Sequence, residues 1–326
     1  MKLAITPPLA GTSATEAVRL TALAERLGYE EAWLAEVGGP ESFAMAAAVA
    51  AATERMPIGV AVVPATTRTP ALLAMGAGTI SQLAGGRPFA LGIGSSSEVI
   101  VSQWHGLPFD RPLRRVRETV LATRAALGGE RDFSGETVTM RRFPLASPPA
   151  GPVPIYVGAL GPGMLRLAGE VGDGVCLNLM PARMVPAQLA EVQRGVLRGG
   201  RDVEFGVMAR LDTVVSDDVA AARALIRRAF GPYFAQPVYN RFLAWCGYPE
   251  EAAEVAAAFA AGDRERLAVA FHDDLVDELT LVGPAGWIRE RLDEYAAAGV
   301  TIAALHFVAP GPEEAEQAIR ALAPGG

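Results

Sequence analysis

The stretch Gly158-Ala159-Leu160-Gly161-Pro162-Gly163-Met164 has the residue types and spacing to hold an anion. Before it, the apolar run Pro154-Ile155-Tyr156-Val157 predicts a buried strand. After it, Leu165 to Glu170 predicts a helix, with Pro162 allowed in its first turn. A strand that empties through glycines into a helix start exposes free backbone N–H groups and the positive end of a helix dipole. Together these make a phosphate site. The plainer alternative is a tight turn that only packs helix on strand.

A second group of polar residues falls where predicted strands end: Thr6, Glu36, Thr66, Ser95, Ser96, Ser97, Asn178, Asp212 and His306. Imidazole carries protons near neutral pH, so His306 and His105 are acid–base candidates, with Glu36 as a carboxylate candidate. Each has a structural alternative. His105 could cap its loop, His306 could sit hydrogen-bonded in a core, and Glu36 could cap a helix or join an ion pair. His272 falls in a predicted helix and reads as structural.

The elements that must position these residues alternate. Leu3 to Ile5, Ala32 to Ala35, Ile58 to Val63, Pro88 to Ile93, 153–157, Gly174 to Asn178, a segment within Val203 to Val215, and Ile302 to Val308 predict eight strands. Helices are predicted between them. Ser13 to Glu16 has capping-box form, and Thr69-Pro70 opens another helix. Repeated βα units argue for a parallel sheet, and eight of them fit a closed (β/α)₈ TIM barrel. In such a barrel the site is built at the carboxyl ends of the strands, where the polar residues above fall. The whole of 1–326 reads as one barrel domain, with a Gly- and Pro-rich excursion at 129–150 carrying a small hairpin and a helical insertion at about 217–275.

The composition narrows the function classes. The 326 residues are 51% hydrophobic with mean hydropathy +0.24, enough for a large core. Net charge is −7 without a basic block, so nucleic acid and anionic membranes are not expected partners; the expected ligand is a small molecule. No stretch reads as a membrane span or signal peptide, so a cytoplasmic location is expected. Cys176 and Cys246 are far apart without metal-ligand spacing, and no metal site is expected. Lys2 is the only lysine.

Several stretches, in order and at similar spacing, resemble the luciferase-like flavin and deazaflavin oxidoreductases. They are Ala24 to Tyr29, Ala35-Glu36, Ala51 to Arg55, Gln82 to Arg87, Leu91 to Gly94, and Ala168 to Gly174. Trp104 to Phe109, Arg111 to Leu113, Arg117-Glu118 and Gly158 to Pro162 resemble the branch that uses coenzyme F420, which includes methylenetetrahydromethanopterin reductase-like enzymes. The resemblance implies a luciferase-like barrel, often a homodimer, that transfers hydride with F420. The alternatives are an FMN-dependent monooxygenase and a non-catalytic cofactor-binding protein. Carried over residue by residue, it implies a phosphate site at Gly158, Ala159, Leu160, Gly161, Pro162, Gly163 and Met164, and a cofactor-arm loop at Gly94, Ser95, Ser96 and Ser97. It also implies an acidic position near the ring at Glu36, with Thr66 nearby, and a non-proline cis peptide beneath the ring at Ala61-Val62. Some deazaflavin dehydrogenases of the family carry a His beside that acidic residue. Here the position is Val37, which favours reduction of an activated C=C or C=N bond over a base-assisted alcohol oxidation.

Overall fold

Local signals fix the element ends. The Ser13 hydroxyl accepts from the Glu16 N–H and the Glu16 carboxylate accepts from the Ser13 N–H, so the expected capping box forms. Thr69 caps the next-but-one helix, with Pro70 in its first turn. The computed structural model describes every residue except Pro8, Asp202, Val203 and Gly326. Val203, at the near edge of the predicted seventh strand, therefore lies outside the described residues.

The strands are β1 (Lys2–Ile5), β2 (Glu31–Leu34), β3 (Ile58–Pro64), β4 (Phe89–Gly94), β5 (Phe133–Ser134), β6 (Thr139–Met140), β7 (Ile155–Gly158), β8 (Gly174–Asn178), β9 (Gly206–Val215), β10 (Leu281–Gly283) and β11 (Ile302–Phe307). The helices are α1 (Ala14–Arg26), α2 (Ser42–Ala52), α3 (Pro70–Leu83), α4 (Pro112–Leu127), α5 (Pro162–Val171), α6 (Val185–Gly199), α7 (Val219–Phe234), α8 (Pro237–Trp245), α9 (Pro249–Ala260), α10 (Arg264–Ala270), α11 (Asp273–Leu279), α12 (Ala285–Ala297) and α13 (Pro312–Ala321). Eight parallel strands close in the order β1-β2-β3-β4-β7-β8-β9-β11, with β11 returning to β1. This is the (β/α)₈ barrel expected. The hairpin β5–β6 lies in the 129–150 excursion.

Inside the barrel, alternate residues of the strands pack together: Ala4, Trp33, Ala90, Tyr156, Cys176, Met208, Ile302 and Ala304. Trp33 meets Tyr156 edge-on, with ring centroids 5.0 Å apart. The two rings fill the amino-terminal end because their neighbours are small. A Cβ on Gly59 would lie 2.6 Å from Trp33, and one on Gly174 2.2 Å from Tyr156. The opposite parity, including Ile58, Val60, Leu91, Ile93, Val157 and Val175, packs outward against the helices.

The helical insertion runs further than its sequence signal. Helices α7 to α11 span Val219 to Leu279, and the short β10, which the sequence pattern does not reveal, follows and pairs with the end of β9. These helices share an apolar cluster built on Ile226, Phe234, Leu243, Val255, Phe271 and Leu275. The same cluster includes Val214, Val282 and Val308 from the ends of β9 and β10 and just beyond β11. The insertion therefore packs on the carboxyl-end face of the barrel. Asn240 donates to the carbonyls of Phe234 and Ala252 (3.0 and 2.6 Å), tying α7, α8 and α9 together.

Candidate functional site

The carboxyl ends of the strands gather polar residues on two facing walls. On the first wall, the peptide bond Ala61-Val62 is cis, at the position the resemblance implied. The register of β3 against β4 shifts between Val60 and Val63, which turns Ala61 and Val62 toward the barrel interior. Their neighbours make room. A Cβ on Gly94 would stand 2.5 Å from Val62 Cγ2, and one on Gly158 would stand 2.9 Å from Val62 Cγ1. Two glycines of the sequence motifs thus accommodate the bulge.

Glu36, two residues beyond β2, is fully engaged. Its carboxylate accepts from Arg68 Nε (3.2 Å) and Nη2 (2.8 Å), from the Ser42 hydroxyl (2.7 Å) and from the Ser42 N–H (3.2 Å). Burial alone would raise its pKa, but the hydrogen bonds from Arg68 and Ser42 outweigh burial and hold the carboxyl below the usual range. A carboxylate held this way orients its neighbours and is a poor proton donor near neutral pH. Arg68 also pairs with Glu41 and lies 4.7 Å over the Phe43 ring. Thr66 is half-buried in the loop between β3 and Arg68.

The segment after β4 is half-buried. Ser96 has a left-handed backbone (φ 60°), and the Ser97 hydroxyl accepts from the Ile100 N–H (3.3 Å). A π-helical turn, Val99–Trp104, follows where sequence patterning indicated only a loop. His105 stands exposed beyond it, and the exposed Trp104 packs on the second-strand loop, where a Cβ on Gly38 would lie 3.4 Å from its ring.

Beyond β7, Gly161 is the N-cap of α5, and no side chain caps this helix. Pro162 has no N–H and the Met164 N–H turns back to the Gly161 carbonyl (3.1 Å), so this end presents chiefly the N–H groups of Gly161 and Gly163 to whatever lies before it. A Cβ on Gly161 would meet nothing within 4 Å, so the glycine borders open space. Ala159 is buried, and Leu160 and Met164 pack against the core, which leaves the backbone rather than these side chains to face a ligand.

The second wall is formed by β8, β9 and β11. Interior parity places Asn178, Arg210, Asp212 and His306 above Cys176, Met208 and Ala304. His306 Nδ1 lies 2.7 Å from Asp212 Oδ1, and Arg210 Nη2 lies 3.3 Å from the same oxygen. Asp212 is wholly buried. Burial would raise its pKa, but Arg210 and His306 hold it low, so it is ionised. Burial pushes His306 down and Arg210 adds to that, with Asp212 opposing, so the ring is neutral at pH 7. Among the described residues, Thr6 Oγ1, Asn178 Oδ1, Arg210 Nε and Asp212 Oδ2 are buried without a hydrogen-bond partner. Four such atoms thus gather at one barrel mouth.

The insertion contributes two residues that sequence reasoning missed. Tyr239 of α8 lies where Tyr233, Arg210, Asp212 and Asn178 act on its hydroxyl; burial dominates and pushes it up to about 12. Tyr233 of α7 is raised for the same reason and meets Tyr239 edge-on at 5.6 Å. Arg210 and Arg68 were also missed. The parity of Met208 and Asp212 around Arg210 is a usable signal for an inward-facing charge; Arg68 carries no such signal. His272 caps α11, its Nδ1 accepting from the Leu275 N–H, which suits a structural role. Among the described residues, no group of three or more His, Cys, Asp or Glu side chains gathers to hold a metal, and no helix is long and apolar enough to cross a membrane.

Comparison with known proteins agrees with this architecture. The family model for luciferase-like monooxygenases matches residues 4–302. A Mycobacterium tuberculosis protein, provisionally named a coenzyme F420-dependent oxidoreductase, is 30% identical over 87% of this chain and 88% of its own. The 5,10-methylenetetrahydromethanopterin reductase of Archaeoglobus fulgidus is 31% identical over 86% of this chain and 85% of its own. The structure of the coenzyme F420-dependent tetrahydromethanopterin reductase of Methanopyrus kandleri superposes with a TM-score of 0.82 at 22% identity, covering 99% of this chain and 97% of that one. The match of the family model along nearly its whole length places this chain in the luciferase-like monooxygenase family.

Proposed function

We propose that this protein is an oxidoreductase that transfers a hydride between the deazaflavin coenzyme F420 and a small organic substrate. The observation that carries the reading is the open, uncapped start of α5 at Gly161, facing a barrel mouth whose third strand bulges at Ala61-Val62. Relatives named for F420 chemistry, matching over most of their length, support it.

The residues present fit such a cofactor. Within Gly158 to Met164, where the Ala159 and Met164 N–H groups are already paired, the N–H groups of Gly161 and Gly163 would take its phosphate, with the dipole of α5 favouring the negative charge. The loop Gly94 to Ser97, with Thr66, would border the arm between phosphate and ring. Val62 would support the ring, and the Glu36–Arg68 pair would fix one edge of its pocket. When bound, the deazaflavin supplies a carbon that accepts or donates hydride. The chain's own residues position that carbon, border the substrate and exclude water.

Deazaflavin reacts poorly with oxygen, whereas an FMN monooxygenase consumes it. Turnover of reduced F420 with an acceptor panel should therefore run at the same rate in air and under anaerobic conditions. Turnover that requires oxygen and FMN would replace this reading with the monooxygenase.

A further inference from the structure

The closed strand order places β9 directly across the barrel from β3. A planar ring resting on Val62 would turn its other face toward the wall carrying Arg210, Asp212 and His306. A substrate exchanging hydride with that face lies between the two walls. The second strand offers no base beside Glu36, because that position is the exposed Val37. We propose that His306, oriented by Asp212, is the acid–base group of this site, and that the substrate is an alcohol oxidised to a carbonyl, or the carbonyl in the reverse direction. The proposal rests on the deazaflavin reading above.

Three observations carry it. Asp212 accepts at Oδ1 from His306 Nδ1, which fixes the tautomer and leaves the lone pair on Nε2. Asp212 has no exposed side-chain surface while His306 keeps 13%, so the imidazole rather than the carboxylate can meet a ligand. Nε2 has no hydrogen-bond partner among the described residues. The arrangement is a general base held by a buried carboxylate, on the wall opposite Val62.

The chemistry narrows the substrate class: the dyad supplies the base that Val37 does not, so base-assisted alcohol oxidation, which the second strand alone disfavoured, becomes the proposed reaction over proton-independent C=N reduction. Hydride addition to an iminium cation gives a neutral amine and needs no proton at that step. Hydride addition to a carbonyl gives an alkoxide, which does. In the oxidation direction the substrate C–H bond breaks and its electron pair leaves as hydride to the oxidised deazaflavin. The O–H bond breaks and its proton passes to His306 Nε2, and the C–O bond becomes C=O. Reduction reverses each transfer. A site that transferred hydride to an iminium alone would have no use for the dyad.

The charged groups acting on His306 are Asp212 and Arg210, both on β9. From β1, on its other side, the interior position is Thr6, which does not titrate. From the covering helices come Tyr233 and Tyr239, whose hydroxyls burial keeps protonated. Alcohol oxidation should therefore keep its rate down to the ordinary imidazole range, ~6.5, and lose it only below.

With three histidines in the chain, ring ¹⁵N NMR of the ligand-free protein reads His306 directly. Near neutral pH it should be neutral and protonated on Nδ1, and Asp212→Asn should move its titration to still lower pH. A proton on Nε2, or a charged ring at neutral pH, would overturn the proposal. Alongside, oxidised F420 is offered with a panel of short primary and secondary alcohols, and reduced F420 with the matching aldehydes and ketones. Turnover is expected, with His306→Gln lowering kcat by about 10²–10⁴-fold, F420 affinity unchanged, and partial rescue by imidazole. An absence of saturable F420 binding defeats the cofactor reading. Saturable binding with no turnover of the panel, or with His306→Gln at full kcat, defeats this proposal instead.

Discussion

At the scale of single residues, the site divides its charges by task. Half-buried Glu36 and fully buried Asp212 are both carboxylates held ionised with an arginine beside them, but their surroundings differ. Glu36 has both oxygens engaged by Arg68 and Ser42, whereas Asp212 spends one oxygen on His306 and Arg210 and leaves the other without a partner. Glu36 is thus a positioning group. Its folded-state pKa lies below its unfolded value, so its contribution is present above the usual carboxylate range and is lost as pH falls through the lowered folded value. Glu36→Gln should cost about 1–2 kcal/mol of stability near neutral pH by weakening charge-assisted hydrogen bonds, and should flatten the acid side of the stability curve. Chemical denaturation across pH checks both; an unchanged acid slope would contradict the assignment. Asn178, Asp212 and His306 were legible in the sequence because they are polar residues at predicted strand ends. Arg210 lies inside its strand, and only its parity with Asp212 reveals which way it faces. Arg68, in a loop, takes its meaning from Glu36, which is distant in sequence. Tyr233 and Tyr239 belong to an insertion whose placement no local pattern encodes.

At the scale of elements, the start of α5 makes the sharpest test. Had Gly161 served only a tight turn, a larger residue would clash. Its backbone is extended, with φ −91°, and a Cβ there meets nothing within 4 Å. Gly161→Val should therefore leave thermal unfolding of the ligand-free protein nearly unchanged. It should weaken a phosphate-bearing cofactor by the loss of a charge-assisted hydrogen bond, about 1.5–3 kcal/mol or roughly tenfold to hundredfold. A cofactor fragment lacking the phosphate should lose much less. Equal losses for the two ligands, measured by parallel titrations, would remove the phosphate from this position. The eight barrel strands were legible because each is a short apolar run between glycine, proline or capping signals. The π-helical turn Val99–Trp104 and the three-residue β10 were not: neither is long enough to establish a period, and both form because of what packs on them.

At the scale of the whole molecule, the barrel sets two walls against each other. One, on β2, β3, β4 and β7, carries the cis peptide, the glycines around Val62 and the open helix start. The other, on β8, β9 and β11, carries the Asn178, Arg210, Asp212 and His306 cluster, covered by the insertion. The closed order that creates this opposition follows from βα alternation and could be read from the sequence; the distances across it could not. On the proposed reading, the first wall is shaped for a deazaflavin. Equilibrium titration of the purified protein with F420 and with FMN tests it most directly. Saturable binding with tighter affinity for F420 is expected; tighter binding of FMN, accompanied by oxygen-consuming turnover, would contradict that reading.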